Sequence, residues 1–195
     1  MSKEKILSPL GYNKNRERVQ NDFYSTEPQA IDYLLQCETF NTNIWECAVG
    51  NGNLANRLVE HGYNVVGSDI IDRGYQNTLI LDFMTVKNKP SSIGGPVDII
   101  TNPPYKYVTE FVNQAYRLAD RKVAMFLKIQ FLETKKRYEQ IFDSIPPKSV
   151  NIFVKRIPCY RNDVRDDKGS AVCYAWFIWD KQYHDDTVVN WIKNY

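Results

Sequence analysis

Metal-binding side chains are scarce in this sequence. Its 195 residues include two histidines, His61 and His184, and four cysteines, Cys37, Cys47, Cys159 and Cys173, with no C-x-x-C pair among them. A zinc site needs a cluster of such ligands, so metal chemistry is not expected, and the cysteines read as reduced structural thiols. A strong charge of one sign is also missing. The formal net charge is +2, well short of what a dedicated nucleic-acid arm carries. No hydrophobic run approaches the length that spans a bilayer, and the opening MSKEKILSPLG lacks the apolar core of a secretion signal. A soluble, cytoplasmic chain with no membrane partner is the expectation. Internal repeats and low-complexity tracts are absent.

Apolar residues, by contrast, are plentiful: 43% of the chain is hydrophobic and 13% aromatic, enough for a single domain with a sizeable core. The charged, Asn-rich residues 1–21 read as a flexible arm and 22–195 as that domain. Strand-length apolar runs at 44–49, Asn64–Asp69, 78–81, Val97–Thr101 and Lys122–Lys128 alternate with helical periods, which predicts an α/β fold with a largely parallel sheet. Thr26 with Pro28 reads as a helix start whose apolar face is Ala30, Ile31, Leu34 and Leu35. Asn53 reads as the cap of a second helix carrying Leu54, Ala55, Leu58 and Val59, and a third carries Val108, Phe111, Val112, Ala115 and Tyr116. Two late runs, 150–156 and 171–179, are joined by the polar loop RNDVRDDKGS without a helix, which predicts an antiparallel pair. The second run, AVCYAWFIW, is apolar at odd and even positions alike, so it belongs in the middle of the sheet.

Between the first strand and the second helix stands Glu46-Cys47-Ala48-Val49-Gly50-Asn51-Gly52-Asn53. Glycines here let the backbone turn sharply and approach a ligand closely, and Gly50-x-Gly52-x-x-Ala55 with Asp69 after the next strand fits an adenosine ligand held through its ribose hydroxyls. A pyrophosphate avoids nearby negative charge, whereas Glu46 attracts a cation. The carboxylate therefore tilts the choice from NAD toward S-adenosylmethionine, unless Glu46 merely faces solvent or pairs with Arg57. Asp82-Phe83 offers an acceptor for an adenine amino group and a ring to cover its face; Asp82 reads equally well as a turn residue. Asn102-Pro103-Pro104-Tyr105 closes the fourth strand.

In this order, E-x-x-x-G-x-G, acid, Asp-Phe and Asn-Pro-Pro-Tyr, the chain resembles the S-adenosylmethionine-dependent amino-methyltransferases, above all the N6-adenine DNA methyltransferases, over residues 22–105. Asp22-Phe23-Tyr24-Ser25-Thr26-x-Pro28 is similar to that family's N-terminal donor-binding motif, and FLETKKR and YAWFIWDK look like stretches of small phage and prophage members. The resemblance implies a Rossmann-like methyltransferase fold whose seven-stranded sheet receives its antiparallel last strand in the interior. It implies a donor site of Tyr24, Ser25, Thr26, Glu46, Ala48, Gly50, Gly52, Asp69, Ile70, Asp82, Phe83 and Asn102, with S-adenosylhomocysteine (SAH) as product. DNA is the implied substrate, and because no room remains for a substantial recognition domain, a separate specificity subunit is one route to sequence choice.

The chemistry fits the motif. An adenine amine is a poor nucleophile because its lone pair is delocalised, and acceptors on both N–H groups make it more tetrahedral. The Asn102 side-chain oxygen and the Pro103 carbonyl are the candidates, with Pro104 holding that carbonyl in extended geometry and Tyr105 offering a stacking face worth about 1–3 kcal/mol. Asn102 is no strong base, so the proton leaves to water. Tyr160, with Tyr174 as rival, is the candidate to sandwich the base opposite Tyr105. Lys135, Lys136 and Arg137 follow the apparent cap Thr134 and read as a phosphate contact or a solvated face. Arg156, Arg161, Arg165 and Lys168 are offset by Asp163, Asp166 and Asp167, which suits a mobile charged loop. Pro158-Cys159 suggests a cytosine-C5 enzyme, but leaves Asn-Pro-Pro-Tyr unexplained. RNA adenine and protein glutamine share the planar amide-like nitrogen and remain alternatives, as do a non-catalytic binding module and an NAD-dependent oxidoreductase.

Overall fold

The computed structural model describes residues 24–161 and 172–195. The expected arm at 1–21 and most of the charged loop, Asp163, Arg165, Asp166, Asp167 and Lys168 included, lie outside the described residues.

Among the described residues, eight strands form the main sheet. In chain order they are β2 (Asn43–Glu46), β3 (Asn64–Asp69), β4 (Leu79–Ile80), β5 (Val97–Thr101), β6 (Lys122–Lys128), β7 (Ser149–Phe153), β9 (Tyr174–Asp180) and β10 (Val188–Ile192). Across the sheet the order is β10-β7-β9-β6-β5-β2-β3-β4. All neighbours are parallel except at β9, which runs antiparallel to β6 and β7 between them. The AVCYAWFIW run thus lies inside the sheet, and every residue of β9 is buried. The sheet has one strand more than the resemblance implies. That strand, β10, pairs with β7 at the edge, where Val188, Val189 and Trp191 are exposed.

Helices cover both faces. α1 (Gln29–Cys37) and α2 (Asn53–Glu60) present Ala30, Ile31, Leu34, Leu54 and Leu58 to Ile44, Ile100, Phe126 and Trp176. On the other face α3 (Val108–Leu118) lays Phe111, Val112 and Ala115 over Trp45, Ile99, Met125 and Phe177. Alternate residues of β6 and β9 therefore feed two different cores, which is why neither strand shows polar alternation. Phe126 is fully buried, stacked on Tyr174 at 4.9 Å and edge-on to Trp176 at 5.3 Å. Phe126→Ala is expected to cost about 3–5 kcal/mol in urea unfolding.

The predicted start of α1 at Thr26 is displaced. Pro28 occupies the N-cap position, and Thr26 instead belongs to a strand, β1 (Tyr24–Thr26), which pairs antiparallel with β8 (Cys159–Arg161) in a separate ribbon. Nor does Asn53 cap α2. Gly52 holds that position in the left-handed region, at φ 85°, and the Asn53 amide donates to Ser25 Oγ at 2.7 Å and to the Thr26 carbonyl at 3.1 Å.

Candidate active site

Chain order reverses between β2 and β5: β3 and β4 lie to one side, β6 to the other. A crevice at the carboxyl ends of the strands is expected at such a reversal. Glu46 ends β2, Asp69 ends β3 and Asn102 follows β5, so the topology brings these three candidates to one end of the sheet.

Glu46 is 1% exposed. Its Oε1 accepts a short hydrogen bond from the Thr101 hydroxyl and another from Ala48 N at 3.2 Å, while Oε2 is buried with no hydrogen-bond partner among the described residues. Burial raises its pKa to about 8, against the lowering effect of those two bonds. Arg57 is not its partner, being engaged by Asp32 at 2.8 and 2.9 Å and Glu60 at 2.5 Å.

Asp69 braces the glycine loop. Oδ2 accepts from Gly50 N at 2.9 Å and Oδ1 from Ile71 N at 3.2 Å, and each oxygen retains a further lone pair. Ile70 beside it is exposed and Ala48 is half-buried. A residue that the motifs do not mark, Tyr75, lays its ring across the loop. A Cβ built on Gly52 would meet the ring at 2.2 Å and one on Gly67 at 2.5 Å, so both glycines are required by this close approach. Asp82 Oδ1 accepts from Met84 N at 2.9 Å and caps the short turn Phe83–Thr85, the turn role. Phe83 is placed differently from the expectation. Only 2% exposed, its ring packs at 5.2 Å from Trp45 and 4.9 Å from Phe111, inside the core under α3.

Asn102 is held by β1. Its Nδ2 donates to Thr26 Oγ1 at 2.8 Å and to the Tyr24 carbonyl at 3.2 Å; its Oδ1 is buried and has no hydrogen-bond partner among the described residues. Pro103 is buried and Pro104 exposed, extended at φ −62°, ψ 122°. Ser25 ties the same strand to the glycine loop through Asn53 and, at 3.3 Å, Asn51.

The stacking role expected of Tyr105 meets a crowded ring. Lys128 Nζ lies 4.4 Å over it, Tyr24 packs at 5.1 Å, and its hydroxyl donates to that of Tyr174 at 3.1 Å. Burial pushes the Tyr105 hydroxyl well above its ordinary value and lowers the Lys128 ammonium. Tyr174 is only 4% exposed and stacks on Phe126, so the rival to Tyr160 is a core residue. Tyr160 sits in β8 opposite Ser25. Cys159, opposite Thr26, has its thiol pushed by burial up to about 11, contrary to what a thiolate nucleophile requires.

Lys135–Arg137 form one α-helical turn that runs on into a π-helical stretch, Tyr138–Phe142. Thr134 caps it at 3.4 Å. Lys135 pairs with Glu139 at 3.5 Å, and Arg137 donates to the Gln130 and Glu133 carbonyls and lies over Phe131, so Arg137 fastens its own segment. Lys136 is exposed.

No family model matches the sequence, and no curated protein is similar enough to count as a match. Solved structures are similar in fold. A modification subunit of a putative type I restriction enzyme from Vibrio vulnificus YJ016 superimposes with a TM-score of 0.58 at 11% identity, over 85% of this chain and 45% of that one. Magnesium protoporphyrin IX methyltransferase from Synechocystis PCC 6803 with bound SAH gives 0.52 at 12% identity, over 78% and 82% of the two chains. A putative RNA methyltransferase from Pyrococcus horikoshii gives 0.50 at 15%, over 78% and 80%. At these identities the likeness is one of architecture, and on that ground the chain has the Rossmann-like fold of S-adenosylmethionine-dependent methyltransferases.

Proposed function

We propose that the protein methylates an exocyclic amino nitrogen with S-adenosylmethionine, and that the nitrogen is N6 of adenine in DNA. One observation carries the reading: two buried acceptors without hydrogen-bond partners among the described residues, Glu46 Oε2 and Asn102 Oδ1, end the paired strands β2 and β5. Buried acceptors are rarely left unmatched, because each costs roughly 1–3 kcal/mol. One suits an ammonium and the other an amine N–H. The backbone at Gly50 and Gly52 carries no side chain of its own and suits close approach of a nucleoside once the Tyr75 ring leaves Gly52, so the residues present fit the methyl donor.

When bound, the donor supplies an electrophilic methyl group on a sulfonium. The rest is work for this chain. Glu46 holds the donor's ammonium, Asp69 offers its remaining lone pairs to the ribose, and Asn102 Oδ1 with the Pro103 carbonyl accepts the two N–H groups of the target amine. With no basic side chain at position 102, the proton leaves to water once the new N–C bond has formed.

A nucleoside seated on Gly52 takes the place of the Tyr75 ring. Tyr75→Ala is therefore expected to tighten SAH binding by about fivefold in calorimetry, whereas weaker binding would make the ring a donor contact.

A modification subunit among the similar structures is in keeping with a nucleic-acid substrate and a separate specificity subunit. The deciding experiment incubates the protein and tritiated S-adenosylmethionine with unmethylated DNA, total RNA and cell lysate, then identifies the labelled atom. N6-methyladenine in DNA is expected. Label on RNA adenine or on a glutamine carboxamide would replace the substrate, and donor binding with no labelled product would make the chain a binding module.

A further inference from the structure

We infer that Thr26 is a positioning residue for Asn102: its hydroxyl fixes which way the carboxamide faces. The inference rests on the function proposed above, and it gives Thr26 a different role from the donor contact that the motif resemblance implies.

An asparagine side chain can rotate to exchange its oxygen and nitrogen, and the two orientations have opposite hydrogen-bonding character. Only the oxygen-inward form serves a target amine. The Tyr24 carbonyl at 3.2 Å can only accept, so it demands the NH2 end. Thr26 Oγ1 at 2.8 Å takes the second N–H, and its own proton has an outlet in Cys159 Sγ at 3.7 Å. Both amide hydrogens are thereby directed toward β1, with Cys159 Sγ of β8 a longer contact of the same nitrogen at 4.0 Å, and Oδ1 is left as the buried acceptor. Thr26 is 3% exposed, which keeps water from competing for either bond.

The strand that carries Thr26 is three residues long and is clamped on both sides. β8 pairs with it through Tyr24↔Arg161, Ser25↔Tyr160 and Thr26↔Cys159. From the other side Asn51 and Asn53 reach across to Ser25, and Asn53 also to the Thr26 carbonyl. One short strand thus spans the donor loop and the acceptor amide, and fixes their relative position.

Thr26→Val keeps shape and strand preference while removing the hydroxyl, and Thr26→Ser restores it. In single-turnover methyl transfer the valine variant is expected to lose 10- to 100-fold in rate while SAH affinity stays within about twofold, and the serine variant to remain within about threefold of the parent. A fall in SAH affinity of tenfold or more with an unchanged transfer rate would overturn the inference and return Thr26 to the donor site. A second readout needs no activity: the side-chain NH2 resonances of Asn102, assigned through Asn102→Ala, should lose protection from solvent exchange in Thr26→Val and keep it in Thr26→Ser. Unchanged protection in the valine variant would also overturn the inference. If the parent transfers no methyl group to any acceptor, the proposed function fails, while the resonance test still decides whether Thr26 orients the amide.

Discussion

Asn102→Ala is expected to reduce methyl transfer at least 100-fold while SAH binding stays within about twofold of the parent. The size follows from what is lost. A preorganised polar group aimed at the reacting atom in a dry site is worth two to three orders of magnitude in rate, about 3–4 kcal/mol. In the proposed reaction Oδ1 of Asn102 is such a group, buried and without a hydrogen-bond partner among the described residues. Asn102→Asp sharpens the test. Aspartate keeps an acceptor oxygen, so if an oxygen were all the reaction needed, transfer would survive. But the second carboxylate oxygen would then face the Tyr24 carbonyl, which can only accept, across the 3.2 Å now spanned by an N–H. The side chain must rotate or take up a proton, and the expected result is a loss comparable to that of alanine. Rapid transfer by the aspartate variant would mean that the oriented amide is not what activates the nitrogen. Circular dichroism and urea midpoints on the same samples separate these losses from unfolding.

Much of this arrangement was readable in the sequence because its determinants are local. Glu46 through Gly52 is one strand-to-helix turn, and the left-handed backbone at Gly52 is the geometry that only glycine supplies cheaply. Asp69 ends, and Asn102 follows, an apolar run whose length marks a strand, and the doubly apolar 171–179 run announced its own central place. What escaped was non-local. β1 and β8 are three residues each and lie more than a hundred residues apart, so neither has a period to detect, and Thr26 before Pro28 looks like a helix cap until β8 is present to pair with it. Phe83 reads as a cofactor ring because it adjoins Asp82; only the third dimension shows Trp45 and Phe111 around it. Tyr75 carries no motif at all, though Gly67 in the middle of β3 is a signal in retrospect, since a strand glycine often marks close approach by another group. β10 escaped because an exposed edge strand has no buried face to impose alternation.

Glu46→Gln is expected to make the protein more stable and the donor bind less well. In the folded chain the carboxyl titrates near 8, against an ordinary value of 4.5, because burial penalises its charge. Between those two values the folded state keeps a proton that the unfolded state has released. Stability therefore falls as pH rises from about 4.5 to 8, and the whole penalty is in force above 8. At roughly 1.4 kcal/mol per pH unit it amounts to ~5 kcal/mol at pH 8. Glutamine avoids the ionisation but brings an NH2 group that must find an acceptor, so a gain of about 2–4 kcal/mol is expected in urea unfolding at pH 8, shrinking to nothing near pH 4.5. Binding follows the opposite course. An ammonium prefers the carboxylate, so SAH must expel the Glu46 proton below pH 8, and its affinity should rise by up to tenfold per pH unit from pH 6 toward 7.5. It should level off above pH 8, where Glu46 is already ionised in the free protein. In Glu46→Gln that slope should vanish and affinity at pH 7.5 should drop at least tenfold. A slope retained in the glutamine variant would assign the titration to another group. Stability unchanged at pH 8 would mean that Oε2 has a partner in the folded chain and that the buried carboxylate is not held in reserve for a cation. If both expected changes appear, the chain keeps a destabilising acid at the end of β2 because ligand binding uses it, and the two effects of a single substitution measure that trade in opposite directions.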